Sequence, residues 1–222
     1  MHERLKTGII GLDELIEGGF IKGSAILIQG APGAGKTIFS LQFLLEGLKN
    51  GERGIYFSLE EPIEDVLKDI ERFGWKETFE KAIQQKNFLL INILPTSLEN
   101  VRSEIIRYVD MIKASRVVID SVTILKTSWE EYKDVGKIRR ILHSIILDLK
   151  RRNITTLLLS ELRKNEIEWE EFVVDGVIKL FYLTQGLPRA IQITKMRRTK
   201  HSLELFPFEI ADSGIIIKSI KL

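Results

Sequence analysis

Between Ser24 and Ser160, short unbroken apolar runs alternate with segments whose apolar positions recur every three or four residues. The runs suit strands buried on both faces of a parallel sheet, and the wider spacing gives a helix one apolar stripe. Ala25–Gln29 predicts a first strand. Ile38, Leu41, Leu44, Leu45 and Leu48 then predict a helix stopped by Asn50-Gly51. Gly54–Leu59 predicts a second strand, and Pro62 suits the first turn of a helix carrying Val66, Leu67, Ile70 and Phe73. Phe88–Leu94 predicts a third strand, followed by a helix with Leu98, Val101, Ile105, Val109 and Ile112. Arg116–Asp120 and Thr155–Ser160 predict two more strands around a helix carrying Val135, Ile138, Leu142, Ile145 and Leu149.

The pattern changes after that. Val174–Leu183 and Arg189–Met196 flank a turn at 184–188, and Leu203–Ile210 and Ile215–Ile220 flank another at Ala211–Gly214. This predicts antiparallel strands added to one edge of a mainly parallel sheet with helices on both faces, an α/β fold. No low-complexity linker interrupts the chain, so residues 1–222 read as a single domain.

One loop in this pattern carries recognisable chemistry. Gly30-Ala31-Pro32-Gly33-Ala34-Gly35-Lys36-Thr37 matches G-x-x-x-x-G-K-[ST], with a strand before it and a helix after it as that motif requires. Glycines at 30, 33 and 35 let the backbone wrap a polyphosphate with its amides turned inward, above the positive end of a helix. Lys36 can reach the β- and γ-phosphates, and the Thr37 hydroxyl can ligate Mg²⁺. The chain is therefore expected to bind a nucleoside triphosphate.

Composition narrows the rest. The chain has 222 residues with 33 basic and 31 acidic side chains, a formal net charge of +2, so no global field calls for nucleic acid or membrane. With no cysteine, disulfides, iron–sulfur clusters and thiolate zinc sites are excluded, and His2, His143 and His201 are too scattered for a histidine metal cage. No apolar run approaches membrane-spanning length, and a soluble cytoplasmic protein is the simplest expectation.

A phosphate loop works with a second carboxylate that helps hold Mg²⁺ through its water shell, commonly at the end of an apolar strand. Val117-Val118-Ile119-Asp120 supplies Asp120, which could alternatively cap a helix. A group is also needed to orient or deprotonate water. Glu60 and Glu61 follow the second strand, whose C-terminal end faces the ligand crevice of an α/β sheet. They could instead be an acidic helix start.

Several segments form an ordered series: Thr7–Leu15, Gly18–Ser24, the phosphate loop, Ser58–Glu61, Phe73-Gly74-Trp75, Val118–Ser121, Glu171–Val177 and Lys195–His201. The chain resembles, over nearly its whole length, the KaiC-like branch of the RecA-type P-loop ATPases. That resemblance implies a RecA-like core, ATP as nucleotide, and hexameric rings with ATP at subunit interfaces. It implies that Gly33, Ala34, Gly35, Lys36, Thr37 and Ile38 bind phosphate, that Thr37 and Asp120 serve Mg²⁺, and that Glu60 and Glu61 are catalytic, beside Lys36. Lys195, Met196, Arg197, Thr199 and His201 correspond to a segment that reaches the neighbour's nucleotide. Two departures stand out: Arg198 occupies a position usually held by Gly, and Arg72 one often held by a small polar residue that helps contact the nucleoside. Self-phosphorylation on adjacent Ser and Thr, known from tandem-domain relatives, is not expected, because Glu171-Phe172 stands at that place.

Two functional classes fit the same nucleotide site. One is an ATPase ring with a signalling or regulatory role. The other is a module that binds DNA or a recombinase and modulates recombination. For the second, Leu125–Gly136, with Trp129 and Tyr132, is the candidate channel-facing loop, although its acidic residues suit phosphate poorly.

Overall fold

In the computed structural model, the residues described are 2–94, 97–127, 135–162, 169–182 and 189–218. The elements run β1 (Arg4–Leu5), α1 (Leu12–Leu15), β2 (Phe20–Ile21), β3 (Ala25–Gly30), α2 (Lys36–Lys49), β4 (Gly54–Ser58) and α3 (Ile63–Arg72). Then come α4 (Lys76–Gln84), β5 (Phe88–Asn92), α5 (Leu98–Ile112), β6 (Arg116–Asp120), α6 (Thr123–Thr127) and α7 (Val135–Arg151). The chain continues with β7 (Thr155–Glu161), α8 (Glu170–Val173), β8 (Gly176–Tyr182), β9 (Arg189–Met196), β10 (Leu205–Ala211) and β11 (Gly214–Ile217).

Nine strands form one sheet in the order β11-β10-β9-β8-β3-β7-β6-β4-β5, and β1 pairs β2 separately. The run from β8 to β5 is parallel, and β9, β10 and β11 are antiparallel additions. This is the mainly parallel α/β sheet with antiparallel C-terminal strands that the sequence predicts. Alternate residues of each strand face opposite layers. Ile26 and Ile28 join Phe39, Phe43, Val66, Ile70 and Phe79 from α2, α3 and α4. Ala25 and Leu27 face the layer built by α5 and α7, with Val101, Ile105, Leu142 and Ile145.

The predicted boundaries shift modestly. The third strand stops at Asn92 rather than Leu94, and the strand predicted from Val174 starts at Gly176. Leu67 sits on the exposed side of α3, not in its apolar stripe. The α4 helix and the β1–β2 pair were not anticipated. Of the candidate channel loop, Leu125 is buried in the core, whereas Trp129 and Tyr132 lie outside the described residues. The turn predicted at 184–188 also lies outside them.

One fully buried cation fastens the sheet end away from the phosphate loop. Arg116, at the start of β6, is 1% exposed. It makes a two-pronged contact with Glu52, Nε to Oε2 at 2.8 Å and Nη2 to Oε1 at 2.7 Å. Its Nη1 donates to Lys6 O and Phe43 O at 2.9 and 2.8 Å, and the guanidinium stacks 4.5 Å from the Phe43 ring centroid. Gly47 leaves room for it, since a Cβ there would lie 2.5 Å from Arg116 Nε. Glu52 is partly exposed, so water takes up some of its charge when the arginine is lost, and Arg116→Met should cost about 1.5–3 kcal/mol through the charged hydrogen bonds removed. Urea unfolding measures this, and an unchanged midpoint would show that the pair does not hold the fold.

Candidate active site

The loop between β3 and α2 takes its shape from its glycines. Gly33 and Gly35 have φ of +76° and +104°, a region that side-chain-bearing residues rarely adopt. Gly33 faces open space, so its backbone is accessible to a ligand. Gly30 has a different role from the one its place in the motif suggests. It ends β3, and a Cβ there would lie 2.8 Å from Leu180 O and 3.0 Å from the Ala34 Cβ, so it lets the loop pack on β8. Ala34 is buried beneath the loop, and Ile38 lines the cleft above α2.

The C-terminal ends of the parallel strands bring the remaining groups to this loop. Asp120 closes β6, Glu60 and Glu61 follow β4, and Glu161 closes β7. With Lys36 and Thr37 they line one cleft of about 250 Å³, which Asp69 of α3 also borders. Thr37 Oγ1 lies 3.5 Å from Asp120 Oδ2, and the Tyr56 hydroxyl donates to the same carboxyl oxygen. Ser121 Oγ donates to Glu60 Oε2 at 3.0 Å. The Glu61 carbonyl accepts from Ser58 Oγ and, at 3.2 Å, from Asn92 Nδ2. Lys36 Nζ donates to Gly30 O and Ala31 O at 2.8 and 3.2 Å.

Burial governs the titration of these groups. It pushes the Asp120 carboxyl up, against the Tyr56 hydrogen bond and the Lys36 charge, which pull it down. It also raises Glu61, and Asp120, Asp69 and Glu60 add repulsion. Lys36 is lowered by burial, although Asp120, Glu161, Glu61 and Glu60 oppose that shift. The pocket thus crowds carboxyls that become easier to ionise once a cation arrives. Among the described residues no group of three or more His, Asp or Glu could hold a metal ion alone. Thr37 and Asp120 present hard oxygens to the cleft, the donor type that Mg²⁺ takes.

The basic segment lies elsewhere. Met196 stands opposite Gly176, which neighbours Ile26 at the start of β3, whereas the phosphate loop leaves the other end of β3. Lys195, Arg197, Thr199 and His201 are therefore at the sheet edge away from the chain's own loop. Asp175 anchors the middle of that segment, at Arg197 and Arg198. This buried carboxylate accepts from Lys150 Nζ at 2.8 and 2.9 Å, Arg198 Nη2 at 3.3 Å and the Ala25 amide at 3.1 Å, and its carbonyl accepts from Arg197 N at 2.9 Å. Lys195 Nζ donates to Glu171 O, Thr199 Oγ1 receives the Arg4 guanidinium at 3.2 Å, and His201 Nδ1 lies 3.2 Å from Ser202 O. Arg198 has φ of +59°, so the left-handed backbone that glycine would favour is kept, with an ion pair to Asp175. Arg72 lies 5.9 Å from the ring centroid of Phe73, which stacks on Trp75 at 4.9 Å.

Comparisons with known proteins agree with this architecture. The KaiC ATPase family profile matches residues 5–221. A UPF0273 protein of Thermotoga maritima is 38% identical over 98% of this chain and 96% of its own length. The circadian clock oscillator protein KaiC of Parasynechococcus marenigrum is 33% identical over 97% of this chain, which spans only 44% of that relative. The crystal structure of a KaiC-like protein from the hyperthermophilic archaeon Pyrococcus horikoshii has a TM-score of 0.88 at 36% identity, covering 99% of this chain and 100% of that one. The RecA-like fold follows from that match. Among the described residues no helix is long and apolar enough to cross a membrane.

The raised Glu61 proton affinity has a thermodynamic consequence. A carboxyl easier to protonate in the folded state stabilises the fold below its ordinary value of 4.5 and loses that contribution as pH rises through the raised value. Glutamine mimics the protonated form throughout. Glu61→Gln should therefore raise the thermal midpoint without nucleotide, with a gain that grows above pH 4.5 and then levels off. Calorimetric scans from about pH 4 to about pH 8 measure it; a midpoint lower than wild type at the upper end would refute the argument.

Proposed function

The chain belongs to the KaiC family of RecA-type ATPases, and from that premise we propose that it binds ATP with Mg²⁺ and hydrolyses it between subunits of a homo-oligomeric ring of six. Residues 1–222 would act as one ATPase domain in the cytoplasm, in a signalling or regulatory role. The observation carrying this reading is the meeting of Lys36, Thr37, Asp120, Glu60 and Glu61 in one cleft at the ligand end of the sheet.

Each residue has a distinct task in this reading. The amides of Gly33, Ala34, Gly35 and Ile38 would cradle phosphate, and Lys36 would leave the loop carbonyls to meet the outer phosphates. Thr37 and Asp120 would hold Mg²⁺, which when bound neutralises phosphate charge. Glu60 or Glu61 would orient the attacking water and take its proton, and Ser121 fixes the Glu60 carboxylate for that purpose. Lys195 and Arg197 would stabilise phosphate charge in a neighbouring subunit, since the antiparallel turn of β9 carries them away from their own cleft. Met196, Thr199 and His201 would complete that contact.

Binding and chemistry should separate by mutation. Lys36→Ala should weaken ATP binding by on the order of 2–4 kcal/mol through loss of a charge-assisted contact. Glu60→Gln or Glu61→Gln should retain ATP and lose about 10²-fold in turnover. Calorimetry and phosphate release measure the two, and wild-type turnover in both glutamine variants would rule out the carboxylate role.

Action between subunits has its own signature. Lys195→Ala and Arg197→Ala should lower turnover while leaving ATP affinity of the isolated subunit unchanged. Mixed oligomers of Lys195→Ala and Lys36→Ala subunits, verified by native mass spectrometry, should regain part of the activity at interfaces pairing an intact loop with an intact basic segment. Verified mixed oligomers that stay inactive beside an active wild type would exclude action in trans.

A further inference from the structure

Strand β4 lies beside β6 in parallel register, with Tyr56 opposite Val118 and Ser58 opposite Asp120. Side chains two apart on a strand share a face, so Tyr56, Val118 and Asp120 all turn towards the α2 layer. Tyr56 is fully buried there, in the cluster that holds Phe39, Phe43 and Val118. A phenylalanine would fill the same space with no polar group to satisfy, whereas a buried tyrosine hydroxyl needs a partner. That partner is chemically particular. The hydroxyl donates to Asp120 Oδ2, the same oxygen that stands 3.5 Å from Thr37 Oγ1. It also meets the hydroxyl of Ser40, itself fully buried on α2, whose Oγ donates to Thr37 O at 2.8 Å.

These contacts tie three elements together behind the cleft. Thr37 and Ser40 belong to the first turns of α2, Tyr56 to β4, and Asp120 to the last position of β6. Thr37 and Asp120 line the cleft, and Tyr56 stands behind its wall, where it takes no space from a ligand. A carboxylate free to turn loses rotational entropy whenever a ligand fixes it. A hydrogen bond from a packed phenol sets that torsion in advance, and partners of this kind orient metal ligands and tune their affinity.

We propose that Tyr56 is a positioning residue for the metal side of the cleft, holding the Asp120 carboxylate in the rotamer that faces Thr37, so that both oxygens are in place before a divalent cation arrives with nucleotide. Ser40 joins that hydroxyl to the helix carrying Thr37. Tyr56 touches neither nucleotide nor cation and acts through Asp120. The inference rests on the reading of Asp120 as a partner of Mg²⁺.

The test is Tyr56→Phe in the full chain, which removes the hydroxyl and keeps the ring. Affinity for a non-hydrolysable ATP analogue is measured by calorimetry in EDTA and again with Mg²⁺, and the ratio of the two is the gain that the metal brings. The variant should bind the analogue in EDTA as the wild type does, while its gain with Mg²⁺ should be on the order of tenfold smaller. Turnover should need about tenfold more free Mg²⁺ for half its maximum, and approach the wild-type rate at saturation. In an Asp120→Asn background the same substitution should make no further difference, because the tyrosine acts through that carboxylate. An equal gain in Tyr56→Phe and wild type makes the tyrosine a packing residue and overturns this inference alone. A loss of the same size in EDTA marks a disturbed loop instead of a misplaced carboxylate, and a loss that persists beside Asp120→Asn marks another route; either overturns it too. A metal gain that Asp120→Asn leaves intact overturns the reading of Asp120, and this inference with it.

Discussion

A parallel strand must be followed by a crossover before the next begins, so β3, β4, β6 and β7 all deliver their C-terminal ends to one edge of the sheet. The rest of the site depends on that constraint. The phosphate loop, the Glu60–Glu61 pair, Asp120 and Glu161 lie far apart in sequence, yet each is the residue or turn that ends a parallel strand. Strand order then sets which of them adjoin. With β7 and β6 placed between β3 and β4, helix α2 has to cross the sheet from the phosphate loop towards β4.

The same geometry sends the antiparallel strands the other way. By pairing antiparallel to β8, β9 runs back to the edge where β3 begins, and Lys195–His201 emerges there. One subunit thus carries an anionic cleft at one edge and a cationic segment at the other. Asp175 holds the cationic segment firmly, because a carboxylate with Lys150, Arg198 and the Ala25 amide around it has little freedom to move. Arg198 keeps the turn that glycine would make there. Its left-handed backbone costs about 1–2 kcal/mol by steric crowding, and the ion pair with Asp175 opposes part of that cost.

Sequence made the frame readable because central strands buried on both faces leave long apolar runs. The β4 run and the apolar stretch ending at Asp120 are of that kind, and the carboxylates after them stand where the strand rule puts ligands. The same rule would have picked out Glu161, which ends β7 as Asp120 ends β6. Asp69 was not legible, since which side of α3 meets the cleft depends on how the helix packs. Helix α4 escaped notice because its buried residues, Phe79 and Ala82, are too few to show a period. Arg116 gave no signal at all: an arginine opening a strand is ordinarily exposed, and its burial depends on Glu52, Lys6 and Phe43 arriving from three other segments.

The cleft has a cost that no local feature of the chain reveals. Gathering Glu61, Asp69 and Asp120 in one cleft works against the fold, because burial and repulsion both oppose their ionisation. Such an arrangement persists where something else supplies cations. The Tyr56 hydroxyl gives Asp120 one hydrogen bond but no charge, and Lys36 is itself weakened by desolvation. In the function proposed above, the balancing charge comes from outside the subunit. There a divalent ion arriving with phosphate would supply part of it, and a neighbour's basic edge the rest. On that reading stability, nucleotide binding and assembly would be linked through the same electrostatics, and whatever neutralises the cleft would also strengthen the fold.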